Sequence, residues 1–203
     1  MRVGIFGGTF DPPHLGHLIL AAEARHQLRL DRLLFVLTPD PPHKQDRLVT
    51  PMPDRLVMLE AAIADDPAFE LSRVEIDRPS PHYAVDTVRL LRKEYPDDSL
   101  IYLMGGDSLR DFPIDWYKPG ELLDACDALG VMRRPHDEID IDSLETELPG
   151  ISAKVEFMNA PLLEIASRQI RRRVAEGRPY RYYLPLTVYK IIQKRKLYQD
   201  LSD

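Results

Sequence analysis

RVGIFGGTFDPPHLGH, residues 2–17, is the stretch that decides the fold. Arg2 to Phe6 form a short apolar run of strand length. Gly7 to Pro13 then read as a loop, and Leu18, Ala21, Ala22 and Leu28 mark one face of a following helix. The next apolar run, Leu33 to Leu37, shows no polar alternation, as expected of a strand covered by helices on both faces. A parallel sheet is therefore expected.

The alternation continues down the chain. A helix from about Pro51 or Asp54 carries Leu56, Leu59 and Ile63 on one side, and another carries Ala84, Val88 and Leu91. Leu100 to Met104 return as a strand ending in Gly105-Gly106-Asp107, and Ala128 to Met132 and Lys154 to Met158 supply two more. Ser167 to Ala175 and Pro185 to Leu197 read as closing helices. Thr38 to Pro53, rich in proline and charge, reads as a long functional loop, and the acidic stretch His136 to Gly150 as a surface excursion. The expected architecture is α/β: a doubly wound, Rossmann-like parallel sheet with a C-terminal helical segment, one domain over residues 1–203. Ligands of such sheets sit beyond the C-terminal ends of the strands, where strand order reverses.

Composition narrows the function. The 203 residues are 44% hydrophobic and 30% charged, an ordinary globular balance that buries a core. A formal net charge of -6 repels nucleic acid and anionic membranes unless positive charge is gathered locally, so neither partner is expected. The single cysteine, Cys126, forms no internal disulfide and reads as a small core residue. No apolar run approaches the roughly 20 residues that span a bilayer. The opening residues lack a signal-peptide pattern, and a cytoplasmic location is expected. Composition leaves a homo-oligomer open.

The segment from Gly7 to His17 suits phosphate chemistry. Gly7 and Gly8 let backbone approach a ligand and take turns closed to other residues. A helix starting near His14 points unpaired N–H groups and its positive dipole end at the loop. His14 and His17, three apart, share a helix face and can donate to one phosphate, while Gly16 between them leaves room for a base or sugar. The spacing is neither a Walker loop nor G-x-G-x-x-G. A bare tight turn with two solvated histidines explains less of the string, and a zinc site lacks a third ligand nearby.

This string resembles the GGTFDP-x-H-x-GH signature of the HxGH nucleotidyltransferase superfamily, in the form found in bacterial nicotinate-nucleotide adenylyltransferases. The resemblance covers nearly the whole chain. Pro41-Pro42-His43-Lys44 is similar to that family's PPHK string, Arg55 and Leu59 to its R-x-x-M-L-type helix, and Tyr83 to Thr87 to its Y-x-x-D-T segment. Met104 to Leu109, with Phe112 and Trp116, resembles its G-x-D-x-L stretch and the aromatics that follow.

A second anion site is expected where Ser167 can cap a helix and Arg171, one turn on, can reach an anion at its start. The segment is similar to the superfamily's I-S-S-T-x-x-R motif at Ile165, Ser167, Ile170 and Arg171, and departs from it at Ala166 and Arg168. The departures remove two hydroxyls and add a cation, so the serine-threonine contacts of the family do not carry over there. Arg168 either substitutes electrostatically or faces solvent; Arg172 and Arg173 read as a solvated face or a nucleic-acid patch.

The resemblance implies transfer of AMP from ATP to nicotinate mononucleotide, giving nicotinate adenine dinucleotide and pyrophosphate in NAD biosynthesis. Mg2+ would ride on the ATP phosphates, with no protein metal ligand. By the same resemblance His14, His17, Lys44 and Arg171 are the catalytic donors. Gly7, Gly8, Thr9, Phe10, Gly16, Gly105, Asp107, Ile165 and Ser167 would meet ATP; Asp11, Thr87, Trp116, Tyr117 and Arg133 would meet the acceptor. Asp107 is read as a ribose ligand or as the cap of a short helix, and Trp116 as a pyridine stack or as packing. Backbone N–H groups near Thr87 and Tyr117 would select acid over amide, a preference with no side-chain signature. A different phosphorylated acceptor, CTP in place of ATP, and a sensor without turnover are the competing readings.

Overall fold

A computed structural model describes residues 1–40, 49–133, 139–161 and 163–199. Among them, β1 (Arg2–Gly8) lies at the centre of a sheet, with β2 (Arg32–Leu37) and β3 (Phe69–Ser72) on one side. On the other side follow β4 (Ser99–Gly105), β5 (Ala128–Arg133) and β6 (Val155–Asn159). The order is β3-β2-β1-β4-β5-β6, and every neighbouring pair is parallel. The expected doubly wound sheet is present.

Alternation along the strands builds two cores. Val3 and Ile5 of β1 with Leu34 and Val36 of β2 face one side, and Phe6, Leu33, Phe35 and Leu37 face the other. The second face is covered by α1 (Leu15–Gln27), α2 (Met52–Ile63), α8 (Ser167–Ala175) and α9 (Leu186–Arg195). The first is covered by α3 (Ala84–Glu94) and the shorter α4 (Gly106–Arg110), α5 (Phe112–Asp115), α6 (Pro119–Ala125) and α7 (Ile141–Glu147). Each fully buried Leu, Ile or Phe contributes about 1.5–3 kcal/mol, which is why β2 needs no polar face.

The register opens a crevice. β1 pairs with β4 only from Arg2↔Ser99 to Ile5↔Tyr102. Beyond that point β1 stays with β2 as far as Gly8↔Leu37, and β4 stays with β5 as far as Gly105↔Met132. The two halves of the sheet therefore part at their C-terminal ends, where the order reverses and a ligand can enter.

Several boundaries differ from the sequence reading. The first strand continues through Gly7 and Gly8 because both pair with β2. Ala22 is exposed, and the buried face of α1 runs through Ala21 and Ala24 to Leu28. β3 went unread: it is four residues long, two of them polar, on a sheet edge. The acidic stretch holds α7, capped by Asp140 accepting from the Ser143 N–H at 3.1 Å; only Leu144 of the helix is buried, too little to create a periodicity. The last strand begins at Val155, one residue later than expected.

Candidate active site

The loop after β1 turns at Phe10, whose φ of 46° is left-handed, and neither Gly7 nor Gly8 takes a positive φ. This corrects the assignment of the turn to the glycines. Gly8 instead makes a seat: a Cβ there would lie 2.9 Å from Cζ of Phe10. The buried Phe10 ring meets Phe6 edge-on at 5.5 Å and the His17 ring at 5.1 Å. Strain at Phe10 is thus held by aromatic packing that also braces a site histidine.

His14 is the N-cap of α1 and His17 its third residue. Their rings stack with centroids 3.7 Å apart. His17 Nδ1 accepts the His14 backbone N–H at 3.1 Å, which leaves the neutral ring its proton on Nε2, a fixed donor. His14 is 6% exposed, and its Nδ1 has no hydrogen-bond partner among the described residues. Burial lowers the His14 pKa from 6.5 to about 4, so the free protein carries it neutral.

That shift has a sign for stability. The unfolded chain protonates His14 near 6.5 and the folded one only near 4, so the contribution is complete above pH 6.5 and is lost as pH falls toward 4. The loss reaches about 3 kcal/mol. Urea unfolding between pH 7.5 and 4 is expected to show this slope in the wild type and a shallower one in His14→Asn; equal slopes would rule out a buried neutral His14.

Gly16 faces the same ring. A Cβ on it would lie 3.1 Å from Cε1 and Nδ1 of His14 and 3.8 Å from Cβ of Ile165, so the hydrogen makes room for the imidazole rather than for a free sugar or base. Gly16→Ala is expected to keep or raise the melting temperature, since alanine favours a helix by up to about 1 kcal/mol. Turnover should fall about tenfold as the ring is displaced by a few tenths of an ångström. Unchanged turnover would detach the ring's position from catalysis.

Helix α8 docks on this loop. Its N-cap is Ala166, not Ser167, and the Ser167 hydroxyl donates to the Pro12 carbonyl at 2.9 Å. Arg171 Nη1 donates to the Asp11 carbonyl at 2.6 Å and lies 3.7 Å from Asp11 Oδ2. The Asp11 carboxylate, 4% exposed, also accepts from the Thr50 N–H at 3.2 Å and the Tyr198 hydroxyl at 2.8 Å. Its oxygens are therefore engaged within the protein. Arg168 is exposed on the first turn of α8.

Across the crevice, Gly105 caps α4 and Asp107 stands exposed in its first turn; a Cβ on Gly105 would collide with Asp107 Oδ1, so the glycine lets that carboxylate fold back over the strand end. Asp107 is not the cap itself. Trp116 is half-buried, edge-on to Tyr102 at 5.8 Å and near Phe112 at 5.3 Å. The exposed Tyr117 stacks on Tyr83 at 4.0 Å. Thr87 is buried: its hydroxyl donates to Glu75 at 2.5 Å and accepts from Arg78 at 3.0 Å, and its N–H closes on the Tyr83 carbonyl. That N–H is thereby used within α3. Arg133, exposed at the end of β5, lies over the Phe157 ring at 3.6 Å. Thr9 sits between Gly8 and Phe10 at the crevice. Lys44 lies outside the described residues.

Sequence reasoning passed over Arg55 as more than a motif match. It is 2% exposed, and it donates to four carbonyls: Thr50 at 2.8 Å, Thr9 at 3.1 Å, Thr38 at 2.8 Å and Pro39 at 2.6 Å. It thereby fixes the loop after β1, the end of β2 and the entry to α2. The available signal was phase: Arg55 stands on the face of α2 that buries Met58, Leu59 and Ala62.

A doubly wound sheet with a histidine-bearing loop at its switch point is the arrangement of a nucleotide-binding enzyme fold. The chain matches the cytidylyltransferase-like family over residues 5–173. A probable nicotinate-nucleotide adenylyltransferase of Thermomicrobium roseum is 46% identical to it, over 99% of this chain and 93% of that protein. The nicotinate-nucleotide adenylyltransferase of Bacillus subtilis is 39% identical over 98% and 99%. The chain belongs to the cytidylyltransferase-like family and, within it, to the nicotinate-nucleotide adenylyltransferases. In fold it is similar to the Plasmodium falciparum nicotinic acid mononucleotide adenylyltransferase complexed with NaAD, with a TM-score of 0.77 at 21% identity over 97% of each chain.

Proposed function

We propose that this protein is a nicotinate mononucleotide adenylyltransferase: it transfers AMP from ATP to nicotinate mononucleotide, releasing pyrophosphate and forming nicotinate adenine dinucleotide for NAD biosynthesis. The observation that carries the reading is the stacked His14–His17 pair at the N-terminus of α1, at the parting of β1 and β4. End-to-end kinship with the adenylyltransferases supplies the substrates.

The acceptor phosphate is largely a dianion near neutral pH, since the second pKa of a phosphate monoester is near 6. It needs no general base to attack the α-phosphorus. What remains is to hold two anions together and to stabilise charge moving to the leaving pyrophosphate. By this reading His17 directs its Nε2–H, the start of α1 its positive dipole end, and Arg171 a guanidinium one movement away from Asp11. An arriving phosphate favours the protonated form of His14, opposing the burial that keeps it neutral. Lys44 is assigned to the same role by family resemblance.

Among the described residues no group of three His, Cys, Asp or Glu side chains is placed to hold a metal ion. The loop and α8 present imidazole, guanidinium and N–H donors, a set that fits phosphate oxygens. Mg2+ is assigned to the ATP triphosphate by family resemblance, where it would neutralise charge on the leaving group. Asp107 is assigned to the ribose, and Trp116 and Tyr117 to the pyridine side. No described helix is long and apolar enough to cross a membrane. The single domain and the cytoplasmic location are assigned by family resemblance.

The test is pyrophosphate release from ATP, with Mg2+, offering nicotinate mononucleotide, nicotinamide mononucleotide or phosphopantetheine, and repeating the first with CTP. Release strongly favouring ATP and nicotinate mononucleotide is the expected result. Preference for another acceptor would overturn the pyridine assignment, and ATP binding without release would favour a sensor.

A further inference from the structure

Tyr198 lies 187 positions from Asp11, yet its hydroxyl donates to Asp11 Oδ1 at 2.8 Å in a buried contact. The chain reaches this point by a left-handed turn, with φ of 53° at Lys196 and 64° at Tyr198. The ring is 8% exposed and packs in the core shared by α2 and α9, its oxygen 3.9 Å from Sδ of Met58. Burial, and then the Asp11 charge, push the phenol well above its ordinary range, so it stays a donor at any working pH.

Asp11 is a buried carboxylate shared by three parts of the chain: Tyr198, the Thr50 N–H before α2, and Arg171 of α8. Arg171 is also the guanidinium assigned to the triphosphate. How firmly Asp11 holds it sets how readily it turns to an incoming anion. We propose that Tyr198 is a positioning residue for nucleotide binding: by donating to Asp11 it satisfies that carboxylate and keeps Arg171 available to phosphate. Without the hydroxyl, Asp11 Oδ1 loses a buried donor and draws the Arg171 guanidinium inward.

This rests on the ATP-using reading above, and the two separate in one experiment. Tyr198→Phe keeps the ring beside Met58 and removes only the hydroxyl. Equilibrium ATP binding, without acceptor, is expected to weaken about tenfold, and the KM for ATP to rise with it, while the KM for nicotinate mononucleotide stays within about twofold. In an Arg171→Met background the same substitution should cost ATP affinity much less, because the guanidinium that Asp11 shares with phosphate is gone. Unchanged ATP binding, equal weakening toward both substrates, or equal effects in the two backgrounds would each overturn the proposal. If Tyr198→Phe is too unstable to assay, Tyr198→Met fills the same core without a hydroxyl and is read the same way. Wild-type protein that binds ATP but turns over no acceptor would sink the activity reading and leave the affinity comparison standing.

Discussion

His17→Ala is expected to lower kcat by about 100-fold or more, the cost of losing a donor aimed at developing phosphate charge. The fold should survive. His17 also accepts the His14 backbone N–H, so the variant loses a helix-start contact of about 1 kcal/mol as well. His17→Asn separates the two effects, because its side-chain oxygen can still accept that N–H but offers no Nε2 donor at the same place. Single-turnover pyrophosphate release and melting temperature, measured on both, should show stability restored in His17→Asn and turnover lowered to the same extent in each. Near-normal release by His17→Ala would remove the residue from the mechanism.

Arg55→Met is the substitution expected to cost the most stability. It strips four partly buried carbonyls, those of Thr9, Thr38, Pro39 and Thr50, of one buried charged donor. An unsatisfied buried group costs about 1–3 kcal/mol, and partial relaxation brings the sum to about 3–5 kcal/mol. For a chain of this size the melting temperature should fall by roughly 10 °C or more. Arg55→Lys should recover less than half, since an ammonium lacks the planar fork that reaches four acceptors. Urea unfolding reads both; a loss under about 1 kcal/mol in Arg55→Met would mean that the carbonyls find other partners.

Much of the fold could be read from residues 2–37, because β1 and β2 are apolar runs whose neighbours are a loop and a helix. Elements that bury little could not: β3 is short and edge-placed, and α7 buries one leucine. At the site, the spacing of three predicts one shared helix face, but His14 is the extended N-cap of α1, with φ -143° and ψ 171°, and it meets His17 through the contact of its backbone N–H with that ring. What each polar group bonds to was not legible. Ser167 resembles a cap but donates to Pro12, Asp11 sits in a motif but faces inward, and Thr87 is closed into a pocket with Glu75 and Arg78. Those partners stand from 9 positions away, for Arg78 and Thr87, to 187, for Tyr198 and Asp11, beyond the reach of helix or strand periodicity. Arg55 is the plainest case, a charge in the apolar phase of a helix, whose meaning depends on three loops converging on it.

The contact between Asp11 and Tyr198 also orders events in time. A ribosome adding about 5–20 residues per second delivers residue 198 some 10–40 s after residue 11. Until then the nascent chain can pair β1 with β2 and close the core on the α3 side, while the opposite core still waits for Ile170, Val188 and Ile192 and the loop after β1 lacks Ser167, Arg171 and finally the tyrosine. A growing chain thus cannot complete the proposed triphosphate site ahead of the rest of the protein, and fragments ending before α8 should fold in part without holding nucleotide.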